Sequence, residues 1–280
     1  MIKKGEFKLQ KFLDTGTSNP IVSRLGLGLH NIVQIAQIDQ LFKDSINDTN
    51  FVVMQNIVKA EKIGNHICQS IEAITKRINE EGIKIQSGGR CVDLPFTEGL
   101  DEIRIFLKYS KNALQELVKV FNVFLNTNLS NPRYDKLQVE LRNKYGIDDH
   151  LFKLVKKDHD LWIKKVLDLR DEDEHPTVLR LYFDFDINWD ITVQKWVVSL
   201  PRFYDGTQIY DFIRTTIHNL LTFTEEVNIL FLQKVLPEEV LIYEIPETER
   251  KKDCEIRFQL GLKEPINLEA SNNILEADND

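Results

Sequence analysis

The stretch Asn50 to Glu80, NFVVMQNIVKAEKIGNHICQSIEAITKRINE, decides the fold class. Its apolar residues fall at Val53, Ile57, Ala60, Ile63, Ile67, Ile71, Ile74 and Ile78. Steps of three and four keep one side chain per turn on a single helical face. A strand, with its period of two, would scatter the same residues over both faces. The spacing therefore predicts one long helix with a single buried stripe.

Working outward, the same period recurs. Leu100 to Leu125 carries Ile103, Phe106, Tyr109, Ala113, Leu117, Val120 and Phe124. Upstream, Ser18-Asn19-Pro20 opens another helix: Asn19 can cap it and Pro20 suits the first helical position. Its face reads Val22, Leu25, Leu29, Ile32, Val33 and Ala36. Gly26 and Gly28 weaken that start by roughly 1 kcal/mol each relative to Ala. Downstream come a short helix near Tyr134 to Lys144 and a longer one from Asp148 to about Asp171, with Gly146 as the stop between them. Gly206 to Leu236 returns to helix, with Ile209, Phe212, Ile213, Ile217, Leu220, Leu221 and Phe223 inward and Pro237 after its end.

Two places break the helical pattern. Gly82 to Gly99 is a long connection containing Gly88-Gly89 and Pro95, of a length usually reserved for function or mobility. From Tyr182, β-forming residues alternate with Asp184 and Asp186, and Ile191 to Leu200 is a second β-rich run. Asn188-Trp189-Asp190 can make the turn between them. Val240 to Ile245 and Glu255 to Leu260 read as a last pair of strands. The expected fold is mainly α: a helical bundle with a small antiparallel β insertion near residues 178–200 and short strands near 240–260. One domain is expected over residues 1–266, followed by a flexible acidic tail over 267–280.

Composition narrows the classes. Hydrophobic residues at 42% and charged residues at 29% fit a folded chain and exclude a wholly disordered one. No run of about 18 apolar residues lacks a charge, so no membrane helix is expected. Met1 to Lys11 has no signal-peptide core. The cysteines are Cys68, Cys91 and Cys254, an odd and scattered set that suits a reducing compartment, here the cytoplasm. The net charge is −8, but the five carboxylates after Lys263 account for much of it, and without them the chain stands at −3. A basic patch on the body is compatible with that. Residues 150–170 hold six Lys or Arg against three Asp, a balance of +3.

One local group has chemistry of its own: Arg170-Asp171-Glu172-Asp173-Glu174-His175, at the end of the helix carrying Trp162 and Val166. A neutral imidazole can take the proton of a ribose 2′-hydroxyl, and a guanidinium can stabilise phosphorane oxygens, without metal. The residues alone leave an alternative open, a helix C-terminus where Arg170 meets the last carbonyls or the acids beside it.

Arg170, Asp171 and His175, with long bundle helices and Trp162 two turns upstream, resemble the HEPN superfamily of helical domains (higher eukaryotes and prokaryotes nucleotide-binding). The resemblance spans roughly Pro20 to His175 and the helix after Gly206. It implies a metal-independent ribonuclease acting as a homodimer in antiphage defence, growth arrest or a toxin system. Arg170 would stabilise the transition state, His175 would be general base or acid, and Asp171 would orient one of them. RNA would be the substrate and a regulatory protein a further partner, with no cofactor and no metal. Inactive members of the family bind nucleotides or serve as scaffolds, so the rival expectation is a non-catalytic helical protein that binds a partner protein or nucleotide. This chain departs from the family pattern in three ways. Asp171 stands where Asn is usual, Glu172 to Glu174 make the spacer acidic, and Pro176 follows His175 at once. Convergence of Arg170 and His175 in an open groove would favour the nuclease. Burial of Arg170 against Glu172 or Glu174 would favour the scaffold.

Other candidates are weaker. Asp158, His159 and Trp162 can support the motif, or form a packed Trp with a satisfied polar neighbour. His175, Asp184, Asp186 and Asp190 could gather round Mg²⁺ or Mn²⁺, although Asp alternating with Phe is also how a half-exposed strand reads. Cys91 beside Arg90 could be a reactive thiol or an idle one. Gly26-Leu27-Gly28 is no phosphate loop, since no strand precedes it.

Overall fold

A computed structural model describes residues 15–83, 85–86, 90–91, 99–129, 133–174, 183–184 and 187–263, with the side chains of 85–86, 90–91 and 183–184 excepted. The fold is mainly helical. A π-helical turn, Val22–Gly28, runs into α1 (Leu29–Ile35); α2 (Gln40–Glu81), α3 (Gly99–Leu125), α4 (Tyr134–Tyr145) and α5 (His150–Asp158) follow. A second π turn, His159–Ile163, joins α5 to α6 (Lys164–Glu174), and α7 is Ile209–Leu232. Two-stranded antiparallel pairs complete it: β1 (Ile85–Gln86) with β2 (Arg90–Cys91), β3 (Phe183–Asp184) with β6 (Arg202–Phe203), β4 (Ile187–Asp190) with β5 (Lys195–Val198), and β7 (Val240–Glu244) with β8 (Phe258–Leu262).

The decisive stripe behaves as its spacing requires. Val53, Ile57, Ala60, Ile67, Ile71, Ile74 and Ile78 are buried, and Ile63 is half-buried against the same core. The helix begins earlier than expected, at Gln40 rather than near Asn50. The added turns hide their period because Leu41 and Phe42 face solvent and Ile46 alone among the apolar residues there turns inward. α2 and α3 lie along each other, and α7 crosses α2 at Gly64. A Cβ there would come within 2.6 Å of Ile213 Cγ2, so only glycine allows this approach. One apolar core then joins α1 to α7. At its far end Phe231 stacks on Phe124 at 4.4 Å and meets Phe121 edge-on at 5.3 Å. Buried aliphatic and aromatic side chains of this kind contribute about 1.5–3 kcal/mol each.

Capping follows the sequence closely. Asn19 Oδ1 accepts the Ile21 N–H at 2.8 Å, Asp149 Oδ1 accepts the Leu151 N–H at 2.9 Å, and Gly146 ends α4 with φ of 88°. α6 continues to Glu174, so Arg170 to Glu174 lie within the helix.

The β insertion needs one correction. Asn188, Trp189 and Asp190 lie in strand β4, and the turn is Ile191–Gln194. Asp190 Oδ1 accepts the Thr192 N–H at 2.8 Å, and Gln194 takes φ of 49°, which fixes the reversal three residues later than the sequence suggested. The final pair also shifts: β8 begins at Phe258, not Glu255. Most of the Gly82–Gly99 connection, residues 175–182 and the acidic tail lie outside the described residues.

Candidate functional site

Arg170 sits in the last two turns of α6, where the following acids are one helical turn away. Its Nη1 donates to Asp173 and its Nη2 pairs with Glu174 Oε1 at 2.9 Å. The other oxygen of Asp173 lies 2.7 Å from Arg104 Nε on α3. Lys111, two turns further along α3, donates to Asp171 Oδ1 and to Glu174 Oε2, both at 2.8 Å. Three cations and three carboxylates thus alternate along the α3–α6 seam. Burial acts to lower the Lys111 ammonium's pKa, but its hydrogen bonds to Asp171 and Glu174 outweigh that and hold it above its ordinary range.

The side chains of Arg170 and Asp173 are 16% and 10% exposed, whereas that of Asp171 is 62% exposed. A guanidinium shared between two carboxylates has its charge matched locally. It would have to give up a partner before stabilising a phosphorane. The structure therefore brings together Arg170, Asp171 and the acids of the spacer. His175 lies outside the described residues, and so does its relation to Arg170.

Upstream, Trp162 is packed and satisfied. Its Nε1 donates to Asp158 Oδ1 at 2.6 Å, and its ring meets Phe223 edge-on at 6.0 Å. Burial pushes the Asp158 carboxyl above its ordinary range despite that bond. The basic residues of 150–170 are partly spent on neighbours: Lys153 on Asp148, Lys156 on Asp160, and Lys165 on Asp205 and Thr207.

Of the metal candidates, only Asp190 has a described side chain, and it serves the turn. Among the described residues no three His, Cys, Asp or Glu side chains gather as a metal site. Cys68 is buried and Cys254 half-buried, both as free thiols. Among the described residues no helix is long and apolar enough to cross a membrane.

Sequence reasoning missed a second charged cluster. Glu225, in the middle of α7, is buried against Arg24 of the first π turn, with Nε to Oε2 at 3.0 Å. Arg257 of the C-terminal hairpin approaches the same oxygen at 3.6 Å and holds Glu226 and Glu244, each at 2.8 Å. Burial pushes the Glu225 carboxyl up, and the three surrounding guanidiniums of Arg24, Arg257 and Arg250 offset this only in part. The signal was available: Arg24 and Glu225 both interrupt apolar stretches.

No family model, no curated protein and no solved structure matches the chain.

The β4–β5 hairpin carries another feature. Ile187 and Val198 anchor it on Ile74, Ile78 and Ile83. Beyond that anchor Trp189 and Trp196 pack edge-on at 5.4 Å, and Ile191, Val193 and Val197 are exposed.

Proposed function

We propose that this chain is a HEPN-like helical protein acting without catalysis, as a binding partner of another protein in the cytoplasm. The observation that carries this reading is the engagement of Arg170. Its guanidinium ties α6 to itself and, through Asp173, to Arg104 of α3. In that role the Arg170–His175 group is a structural remnant of the family motif. The hairpin supports protein as the partner class. The uncharged turn with exposed Ile191 and Val193, one Asp190–Lys195 rung beyond the Trp189–Trp196 pair, offers apolar and aromatic surface of the kind a protein partner covers.

The ribonuclease is the second reading, and one observation favours it. Arg170 and Asp171 stand in the last turns of α6, five and four residues before His175, with the Asp171 side chain largely exposed. There the chain would act as a homodimer on RNA, in defence or growth arrest. Purified protein incubated with total RNA in EDTA separates the two. The binding reading expects intact RNA from the wild type. RNA cleaved by the wild type, with DNA spared and activity lost in both Arg170→Ala and His175→Ala, would establish the nuclease instead.

A further inference from the structure

α5, α7 and the C-terminal hairpin enclose an open groove of about 400 Å³. Its floor is apolar: Leu154 of α5, Ile229 and Leu230 of α7, and Phe258 of β8. One wall is a face of α5 with the ammonium groups of Lys153 and Lys157 and the imidazole of His150. The opposite wall holds Arg257 together with Glu226 and Glu244, the two carboxylates that pair with it, so the cationic charge of the groove is on the α5 side. The α5 wall thus faces the groove with cationic charge over an apolar base. The Lys153–Asp148 pair does not alter this, because both partners are exposed and such pairs exchange readily with other carboxylates.

The chain supplies a matching segment. Residues 264–280 read EPINLEASNNILEADND, with five carboxylates, no Lys or Arg, and two apolar pairs, Ile266/Leu268 and Ile274/Leu275. The segment leaves β8 just past Leu262, and the Lys263 N–H is held by the Glu239 carbonyl, shortly after the end of α7. Gln233, at that end of α7, lines the groove, and Lys234 beside it pairs with Asp149 at the start of α5. The segment therefore departs near one mouth of the groove. From Gln233 to Glu226 along α7 is about 10 Å at 1.5 Å per residue. Seventeen residues at about 3.3 Å each reach several times that distance.

We infer that the acidic segment 264–280 docks in this groove of its own chain. Ile274 and Leu275 sit on Leu154, Ile229, Leu230 and Phe258, while Glu269, Glu276 and Asp278 meet Lys153 and Lys157. Charge and apolar surface then match on both sides, and linkage to β8 makes the contact intramolecular, with a high effective concentration.

Zero-length carbodiimide cross-linking of the full chain, read by peptide mass spectrometry, tests this. The expected result is Lys153 and Lys157 joined to Glu269, Glu276 or Asp278 at monomer mass. The yield should fall at least threefold in 0.5 M NaCl, where the Debye length shrinks to a few ångströms. Ile274→Asp/Leu275→Asp changes no residue of the described core and adds two reactive carboxylates. It should nevertheless lower the specific cross-links, because the apolar seat is lost. Tail cross-links scattered over lysines around the molecule would overturn the inference. So would links found only in dimers and rising with protein concentration, or specific links unchanged in the double variant.

Discussion

Arg104 and Arg170, on two different helices, contact opposite oxygens of the same carboxylate, that of Asp173. This makes the acidic spacer intelligible. Glu172 to Glu174 would repel a phosphate, yet two of those three acids pair with Arg170, and Lys111 holds Glu174 from α3. Negative charge unhelpful to an RNA site is what a helix seam lined by Arg104, Lys111 and Arg170 requires.

The Arg24–Glu225 pair is deeply buried, with side chains 6% and 2% exposed. Glu225→Ala should cost about 3–5 kcal/mol, because Arg24 and Arg257 lose their shared anion inside the protein. Replacing both partners, as Arg24→Met with Glu225→Leu, should cost much less than the two single losses combined. Urea denaturation of the four species measures this. A cost for Glu225→Ala below about 1 kcal/mol would contradict the burial.

Asp149 caps α5 and accepts from Lys234 Nζ at 2.7 Å. Partial burial raises its pKa, but the Lys234 and Leu151 hydrogen bonds outweigh that and hold the carboxyl below its ordinary range. A depressed folded value means the stabilisation is full above the unfolded value of about 3.9 and is lost as pH falls through the folded one. Asp149→Ala should therefore cost about 1 kcal/mol at pH 7. The gap from wild type should close in the most acidic range, below that unfolded value. A gap that persists there, in Tm measured against pH, would contradict the assignment.

Much of the architecture was legible in the sequence. The seam from Val53 to Ile78 and the face from Ile209 to Phe223 follow helical spacing, and their burial agrees. The start of α2 was not legible, because Leu41 and Phe42 point to solvent and erase the period over those turns. The turn at Ile191–Gln194 was hidden because Asn188-Trp189-Asp190 has turn-like composition, while strand pairing of Trp189 with Trp196 overrides it. The Arg170 group could be found by its residue types, but not its partners: Arg104 and Lys111 lie on α3, far away in sequence, and only packing brings them there.

Gly64 tests the packing of α2 on α7. Gly64→Ala gains helix propensity worth about 1 kcal/mol. Its Cβ, however, would strike Ile213 at 2.6 Å and Ile217 at 3.0 Å. The overpacking should win, for a net loss of about 1–3 kcal/mol. A stabilised variant would show that the helices do not approach this closely.

The hairpin should divide into an anchor and a free tip. Ile191 is 82% exposed and Val198 is 4% exposed. Ile191→Asp should change stability by no more than about 0.5 kcal/mol. Val198→Asp should cost at least about 2 kcal/mol by burying a charge against Ile74 and Ile78. Equal effects in thermal melts would mean the tip is packed.

Arg170 acts as a clamp between α6 and α3, and a double-mutant cycle on Arg170 and Asp173 measures that directly. Wild type, Arg170→Ala, Asp173→Ala and the double variant are unfolded in urea under identical salt. Both side chains are mostly buried, so a coupling of roughly 1 kcal/mol is expected, larger than the 0.3–0.5 kcal/mol of an exposed helical pair. A coupling indistinguishable from zero, with Arg170→Ala as stable as wild type, would contradict it and leave the guanidinium free for another role.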